Sequence, residues 1–180
     1  MSITSTQSRK VKVSREDYFE HYLPRGYEYV DGYAVPRFPE IQDDNGDWQL
    51  AGPKLVHGLL IFRVARRLHA HLDHLGIQGE TLNNTAVIMN PETGQIRVPD
   101  LAYLSPEQLA QKPDLYDAVP FPPAWALEVV SESDKADDVR VKAQEYIDNG
   151  TRLLWVIYPA VREIDVYRPG QAPQTLRPGD

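Results

Sequence analysis

Residues 125–131 read WALEVVS, a short and nearly continuous apolar run that follows a proline-rich segment. Apolar residues at almost every position are typical of a strand that is covered on both faces, because a half-exposed strand alternates apolar and polar residues. We therefore expect a central strand here. Glu128 is the one charged residue in this run, and it becomes the first candidate for a functional side chain.

Helical patterns lie on both sides of this strand. Across residues 53–75 apolar side chains recur at steps of three and four, which predicts a long helix with one buried face. A second helix is predicted over 135–149, where Gly150 provides the stop. Near the N-terminus, Ser14 is expected to cap a short helix that ends at about residue 23.

Strand patterns account for much of the remaining chain. Asp31-Gly32 tolerates the positive φ of a tight turn and so predicts a hairpin between the first two strands. The three segments between residues 78 and 104 are expected to form a meander, and residues 39–52 a polar loop. The predicted strands are 27–30, 33–38, 78–82, 85–89, 96–104, 152–158 and 163–168.

This order of elements predicts an α/β fold with a central mixed β-sheet flanked by helices. With 180 residues, 42% of them hydrophobic, the chain can bury one substantial core but not two ordinary ones. We expect a flexible N-terminal tail at 1–13, a single domain at 14–170 and a C-terminal tail at 171–180.

Composition narrows the classes of function. Cysteine is absent, which excludes disulfides and thiolate zinc sites. The N-terminus has no apolar signal region and no later run approaches a membrane span, so we expect a cytoplasmic protein with no membrane partner. The net charge of −7 argues against a protein that coats nucleic acid non-specifically, because such binding depends on an excess of cations.

Any contact with nucleic acid must therefore be local. Basic residues concentrate on the predicted long helix, where Arg63, Arg66 and Arg67 are the candidates for nucleic-acid contact. The alternative interpretation is a solvated helix face.

Two acids interrupt apolar strands. Burying an uncompensated carboxylate costs several kcal/mol, so Glu128 needs a cation, a proton or strong donors, unless it lies on an edge strand or in a structural ion pair. Asp100 follows Pro99 within RVPDLAYL (97–104), and alone it would be interpreted as a turn or capping residue. Together the two acids offer hard oxygen ligands, which suit Mg²⁺ or Mn²⁺ better than zinc.

Lys142 lies on the second predicted helix. At about 100° per residue, Val139, Ala143, Tyr146 and Ile147 form its buried stripe, and Lys142 falls at the margin of that stripe. Its ammonium could then reach inward. The alternative is a lysine whose stem covers apolar surface while its charge stays in water.

Three motifs of this chain together resemble the Uma-type restriction endonuclease family. They are Pro-Asp at 99–100, EVVS at 128–131 and a lysine ahead of EYIDNGTRLLWVIYP (145–159). This family belongs to the PD-(D/E)XK nuclease superfamily. The resemblance covers about residues 18–167, and it implies a restriction endonuclease-like core. The superfamily usually places its lysine two residues after the second acid, where this chain has Val130. The Uma-type family places it on the following helix, which Lys142 matches.

The resemblance also implies roles for further residues. Asp100, Glu128 and the backbone carbonyl of Val129 would hold the metal, and Lys142 would orient water or stabilise the developing charge. Glu28, before the Asp-Gly turn, and His57, on the long helix, match additional family positions; they could instead be a cross-strand partner and a core histidine.

The chain departs from the family in two places. The family continues into another apolar strand, so a sheet edge is expected to be missing or supplied by a partner. The loop around Trp48 is longer than usual.

The expected function is metal-dependent endonucleolytic hydrolysis of nucleic-acid phosphodiester bonds, with DNA as the substrate, Mg²⁺ or Mn²⁺ as cofactor, and a homodimer as a possible assembly. The alternative is a non-catalytic homo-oligomeric module that binds nucleic acid or protein on the same fold.

Overall fold

The structure is a computed structural model that describes residues 9–42, 48–50, 54–111, 113–115, 117–132 and 134–180. Its two main helices are α2 (Leu55–Leu75) and α4 (Ala136–Asp148). The shorter ones are α1 (Arg15–Asp17), which continues through a π-helical turn at Tyr18–Tyr22 and a 3-10 turn at Leu23–Arg25, and α3 (Pro106–Leu109). Among the described residues, no helix combines the length and apolar character needed to cross a membrane.

Most strands belong to two sheets. In spatial order, the first sheet consists of β1 (Val11–Lys12), β3 (Tyr33–Pro36), β2 (Tyr27–Val30), β8 (Gln95–Arg97) and β7 (Val87–Asn90). The second consists of β13 (Gln174–Leu176), β12 (Glu163–Tyr167), β11 (Leu153–Tyr158), β10 (Trp125–Val129), β9 (Leu101–Leu104) and β6 (Glu80–Asn83). The α/β class is confirmed, with the strands divided between these two sheets.

The second sheet is mixed because β10 and β11 run parallel, whereas its other neighbours are antiparallel. Parallel neighbours require a crossover, and α4 provides it. Alternate residues of β10 face opposite sides of the sheet. Leu127 packs with Ile61 of α2, and Ala126 packs with Tyr146 of α4. The strand expected at 125–131 is therefore covered on both faces, as its apolar run predicts.

The predicted hairpin is confirmed, with Asp31 and Gly32 at φ 52° and 81° between β2 and β3. The predicted meander is wrong. β6 pairs with β9 while β7 pairs with β8, and the single strand expected at 96–104 is divided at residues 98–100. Pro99 has no N–H to donate, so the ladder stops there and the chain passes from the first sheet to the second.

Two other expectations need correction. Residues 39–52 are not simply a loop, because β4 (Glu40–Gln42) pairs with β5 (Trp48–Leu50), although residues 43–47 and 51–53 lie outside the described part. Both expected tails contain a paired strand: the segment 171–180 contains β13, which pairs with β12, and the segment 1–13 contains β1, which pairs with β3. β13 therefore forms the edge of the second sheet next to β12, where an edge was expected to be missing.

Candidate functional site

A cluster of charged side chains lies where the chain passes between the two sheets. The sheet transition supplies Asp100, β2 supplies Glu28, and β10 supplies Glu128. His57, in the first turn of α2, and Lys142, on α4, approach them from the helices. These are the catalytic and metal-ligand candidates of the sequence analysis. Lys142 contacts Glu28 and Glu128, His57 contacts Asp100, and the Val129 amide joins these two groups.

Lys142 connects two of the acids. Its Nζ lies 3.0 Å from Oε1 of Glu28 and 2.9 Å from Oε1 of Glu128, and its side chain is 24% exposed. The ammonium therefore points into the molecule and does not lie along its surface. Burial lowers the pKa of Lys142, but the carboxylates of Glu128 and Glu28 outweigh this effect and hold it above the usual value. The lysine is a permanent cation at this position.

Asp100 is almost completely buried, and both of its oxygens have partners. Oδ1 accepts a hydrogen bond from Arg37 at 2.8 Å, and Oδ2 accepts one from the amide N–H of Val129 at 2.8 Å. His57 Nε2 lies 3.1 Å from the same Oδ2. Because Val129 follows Glu128 in β10, this amide contact holds the Asp100 carboxylate against the strand that carries the second acid.

Glu28 is held by cations. Arg97 donates to its Oε2 at 2.7 Å, and the amide N–H of Val98 donates to Oε1 at 3.1 Å. Burial alone would raise the pKa of Glu28, but Lys142 and Arg97, with Arg37 and the Val98 amide, lower it to about 2. Glu28 is therefore ionised at any pH near neutrality.

The pKa of Glu128 is shifted in the opposite direction to that of Glu28. Burial raises its pKa, and although Lys142 opposes this effect, the charges of Asp100 and Glu28 add to it. Tyr146 donates to its Oε1 at 2.7 Å. Burial and the nearby Glu128 raise the pKa of Tyr146, so its phenol stays protonated and remains a donor. The cluster thus compensates the charge of Glu28 well and that of Glu128 poorly.

Sequence reasoning missed the two arginines of the cluster. Arg97 also contacts Glu145 of α4, so it links the first sheet to this helix. It could have been found by the argument that identified Glu128, since it is a charged residue in a strand that leads into Val98-Pro99. Arg37 follows β3 in an unremarkable context, and nothing local indicates that its side chain reaches Asp100.

The expected nucleic-acid contacts lie outside this cluster. Arg63, Arg66 and Arg67 are exposed on α2. They follow His57 by six to ten residues, which is about 9 to 15 Å along a helix axis.

The cluster contains donor atoms of the types that bind a divalent cation, but it does not form a complete set of ligands. In the described part of the chain, no group of three or more His, Asp or Glu side chains is arranged to hold a metal ion. Asp100 and Glu128 nevertheless present hard carboxylate oxygens, each with two lone pairs, which are the donors that Mg²⁺ and Mn²⁺ prefer. Arg37 already lies on one oxygen of Asp100, so a metal bound there would share or displace that contact.

Comparison with known proteins identifies the fold and the family of this chain. The fold is similar to a crystal structure from Anabaena variabilis, described as a putative nuclease belonging to DUF820, with a TM-score of 0.67 and 16% sequence identity over 87% of this chain and 79% of that one. No curated protein matches the chain. The model of the Uma2 family, described as "Putative restriction endonuclease", matches residues 15–180. The chain belongs to this family, which confirms the resemblance found in the sequence.

Proposed function

We propose that this protein is a metal-dependent endonuclease that hydrolyses phosphodiester bonds of nucleic acid, with DNA as its substrate. The observation that carries the proposal is the position of Lys142, whose ammonium lies 2.9 Å from Glu128 on a strand that also binds Asp100 through the Val129 amide. Two carboxylates and a lysine are thus held together by buried contacts. Membership of a family described as "Putative restriction endonuclease" supports the same reaction class.

In this proposal Asp100, Glu128 and the backbone carbonyl of Val129 would hold Mg²⁺ or Mn²⁺, which when bound activates water and neutralises charge on the phosphate. Lys142 offers a fixed positive charge to the oxygen on which negative charge develops. Glu28 also holds this ammonium in position, because its Oε1 lies 3.0 Å from Nζ of Lys142.

The remaining side chains position these groups. His57 and Arg37 hold the carboxylate of Asp100, and Tyr146 holds Glu128. We assign the exposed arginines of α2 to contacts with phosphates away from the cleaved bond, since they point into solvent beyond the cluster. A homodimer remains part of the proposal, and sedimentation of the purified protein tests it.

Cleavage of plasmid and of labelled oligonucleotides tests the function. The native protein should nick or cut DNA in Mn²⁺ or Mg²⁺ and not in EDTA, and Asp100→Ala combined with Glu128→Ala should abolish both cleavage and calorimetric metal binding. Asp137→Asn is the matched control, because its carboxylate is exposed on the same helix as Lys142 and should change neither measurement.

Two results would contradict the proposal. Cleavage by the double variant at the native rate would assign the activity to other residues. Absence of cleavage by the native protein on DNA and RNA with either metal would favour the non-catalytic binding module.

A further inference from the structure

A groove of about 380 Å³ opens beside the charged cluster. It lies between the start of α2, the end of β6 and the residues that follow β3. Sites for small ligands begin at roughly this size, about 300 Å³. The lining side chains on which the argument depends are Arg37, Phe38, His57, Phe62, Asn83 and Asn84.

The groove is continuous with the candidate site. The Nη2 of Arg37 donates to Oδ1 of Asp100 at 2.8 Å and also to Oδ1 of Asn84 at 2.9 Å. His57 contacts Asp100 through Nε2, while its buried Nδ1 has no hydrogen-bond partner within the described part of the chain. Buried polar atoms are normally paired, so this ring nitrogen, on a residue that lines the groove, leaves a hydrogen-bonding capacity that the described residues do not use.

The lining combines aromatic faces with amide groups. Phe38 lies against the Arg37 guanidinium at 5.4 Å and meets the His57 ring edge-on at 6.0 Å between centroids. Phe62 is 67% exposed, so its ring is accessible to a molecule that enters the groove. On the opposite wall, Asn84 donates to Asn83 at 2.6 Å, which places two amides side by side.

We propose that this groove binds one unpaired nucleobase of the substrate strand, next to the phosphate at the candidate site, so that the protein prefers single-stranded or locally unpaired nucleic acid. The placement of this base next to the cleaved bond rests on the proposed nuclease function. Aromatic side chains stack on the face of a base, and amides hydrogen-bond to its edge. A base inside an intact duplex can reach such a groove only by leaving the stack, which costs a few kcal/mol.

The net charge of the protein favours a nucleobase as the ligand of this groove. A chain with a net charge of −7 can gain little affinity from phosphate contacts alone. Stacking of a base requires no excess of cations, so it supplies affinity that the electrostatics of this protein does not.

Binding to strands with and without bases tests the proposal. Fluorescence anisotropy in EDTA compares a labelled twelve-nucleotide oligothymidylate with an abasic strand of the same length and charge. The native protein should bind the oligothymidylate about tenfold more tightly, which is within the range of one stacked base. Phe62→Ala should bind the two strands equally. Leu55→Ala is the control, because Leu55 is 80% exposed on the same helix and does not line the groove, so it should retain the native preference.

Cleavage in Mn²⁺ separates this proposal from the proposed function. The native protein should cut a single strand faster than the same strand in a duplex, and Phe62→Ala should lose this difference. Equal binding of the two probe strands by the native protein, or an unchanged preference in Phe62→Ala, would overturn the base site even if DNA is cut. A base preference that depends on Phe62 without any cleavage would support the base site and overturn the nuclease.

Discussion

Replacing Glu28 by glutamine should destabilise the protein strongly, and by an amount that depends on pH. The carboxylate accepts from Arg97 at 2.7 Å and from the Val98 amide at 3.1 Å, and Lys142 lies 3.0 Å away. Glutamine has nearly the same shape but no charge. The substitution therefore leaves two cations without their shared partner, in a place where the side chain of Glu28 is only 5% exposed.

The magnitude follows from the pKa. The folded protein lowers the pKa of Glu28 from 4.5 to about 2, and each unit corresponds to about 1.4 kcal/mol, so the charge contributes about 3 kcal/mol to the free energy of unfolding at pH 7. Because the folded pKa is the lower one, this contribution is complete above pH 4.5 and is lost as the pH falls toward 2. At pH 3 about 1 kcal/mol remains.

Urea unfolding followed by tryptophan fluorescence measures this directly, since Trp125 and Trp155 pack edge-on in the second sheet, with ring centroids 5.5 Å apart. The difference in unfolding free energy between the native protein and Glu28→Gln should fall from about 3 kcal/mol at pH 7 to about 1 kcal/mol at pH 3. Glu92→Gln, which removes an exposed carboxylate, should match the native protein at each pH. A Glu28→Gln variant as stable as native at pH 7, or a deficit that does not change with pH, would refute the reasoning.

Three further predictions concern the acids, the lysine and the basic face of α2. Glu128→Gln should be at least as stable as the native protein at pH 7, because burial raises the folded pKa of Glu128 and its charge costs stability above that pKa; thermal melts that show a large loss would contradict this. Lys142→Ala should lower the cleavage rate by about 100-fold or more while calorimetric binding of Mn²⁺ persists, and native cleavage would exclude the lysine from the reaction. Replacing Arg63, Arg66 and Arg67 by glutamine should flatten the dependence of DNA affinity on log salt by about one unit per lost phosphate contact, and an unchanged slope would place the contact surface elsewhere.

The elements of this fold could be predicted because hydrophobic periodicity records local burial. The apolar run at 125–131 and the helical stripes of α2 and α4 each reflect neighbours in one element, and the structure confirms them. Pairing partners could not be predicted in the same way. The order β13-β12-β11-β10-β9-β6 depends on contacts between segments far apart in sequence, and the expected meander failed for this reason.

The residues of the candidate site also divide into those that the sequence predicts and those that it does not. Glu128 and Asp100 stand out because a charge within an apolar strand is visible in the sequence itself. The partner of a long side chain is not visible there, since Arg37 reaches a residue 63 positions away and Arg97 one that is 69 positions away. Sequence reasoning therefore found the acids and Lys142, and missed the two arginines that also compensate the acids.

The arginine and lysine side chains of the cluster change the argument that the buried acids bind a metal ion. From the sequence, two buried acids require a shared cation, and a divalent ion is the simplest candidate. The structure provides cations from the chain itself, so burial of the acids no longer argues for a metal without further support. Their distribution does provide support, because among the described side chains of the cluster four acids face three permanent cations, namely Glu28, Asp100, Glu128 and Glu145 against Arg37, Arg97 and Lys142.

The shortage of positive charge does not affect the four acids equally. Glu28 is overcompensated and has a pKa of about 2, whereas the pKa of Glu128 is raised despite its contact with Lys142. An additional cation therefore gains most beside Glu128, and the Asp100 carboxylate is held against the same strand by the Val129 amide. The charge balance of the cluster thus favours Glu128, among its four acids, as the ligand of a further cation, and the choice of Asp100 as the second ligand stays a prediction that rests on the Val129 contact and the family resemblance.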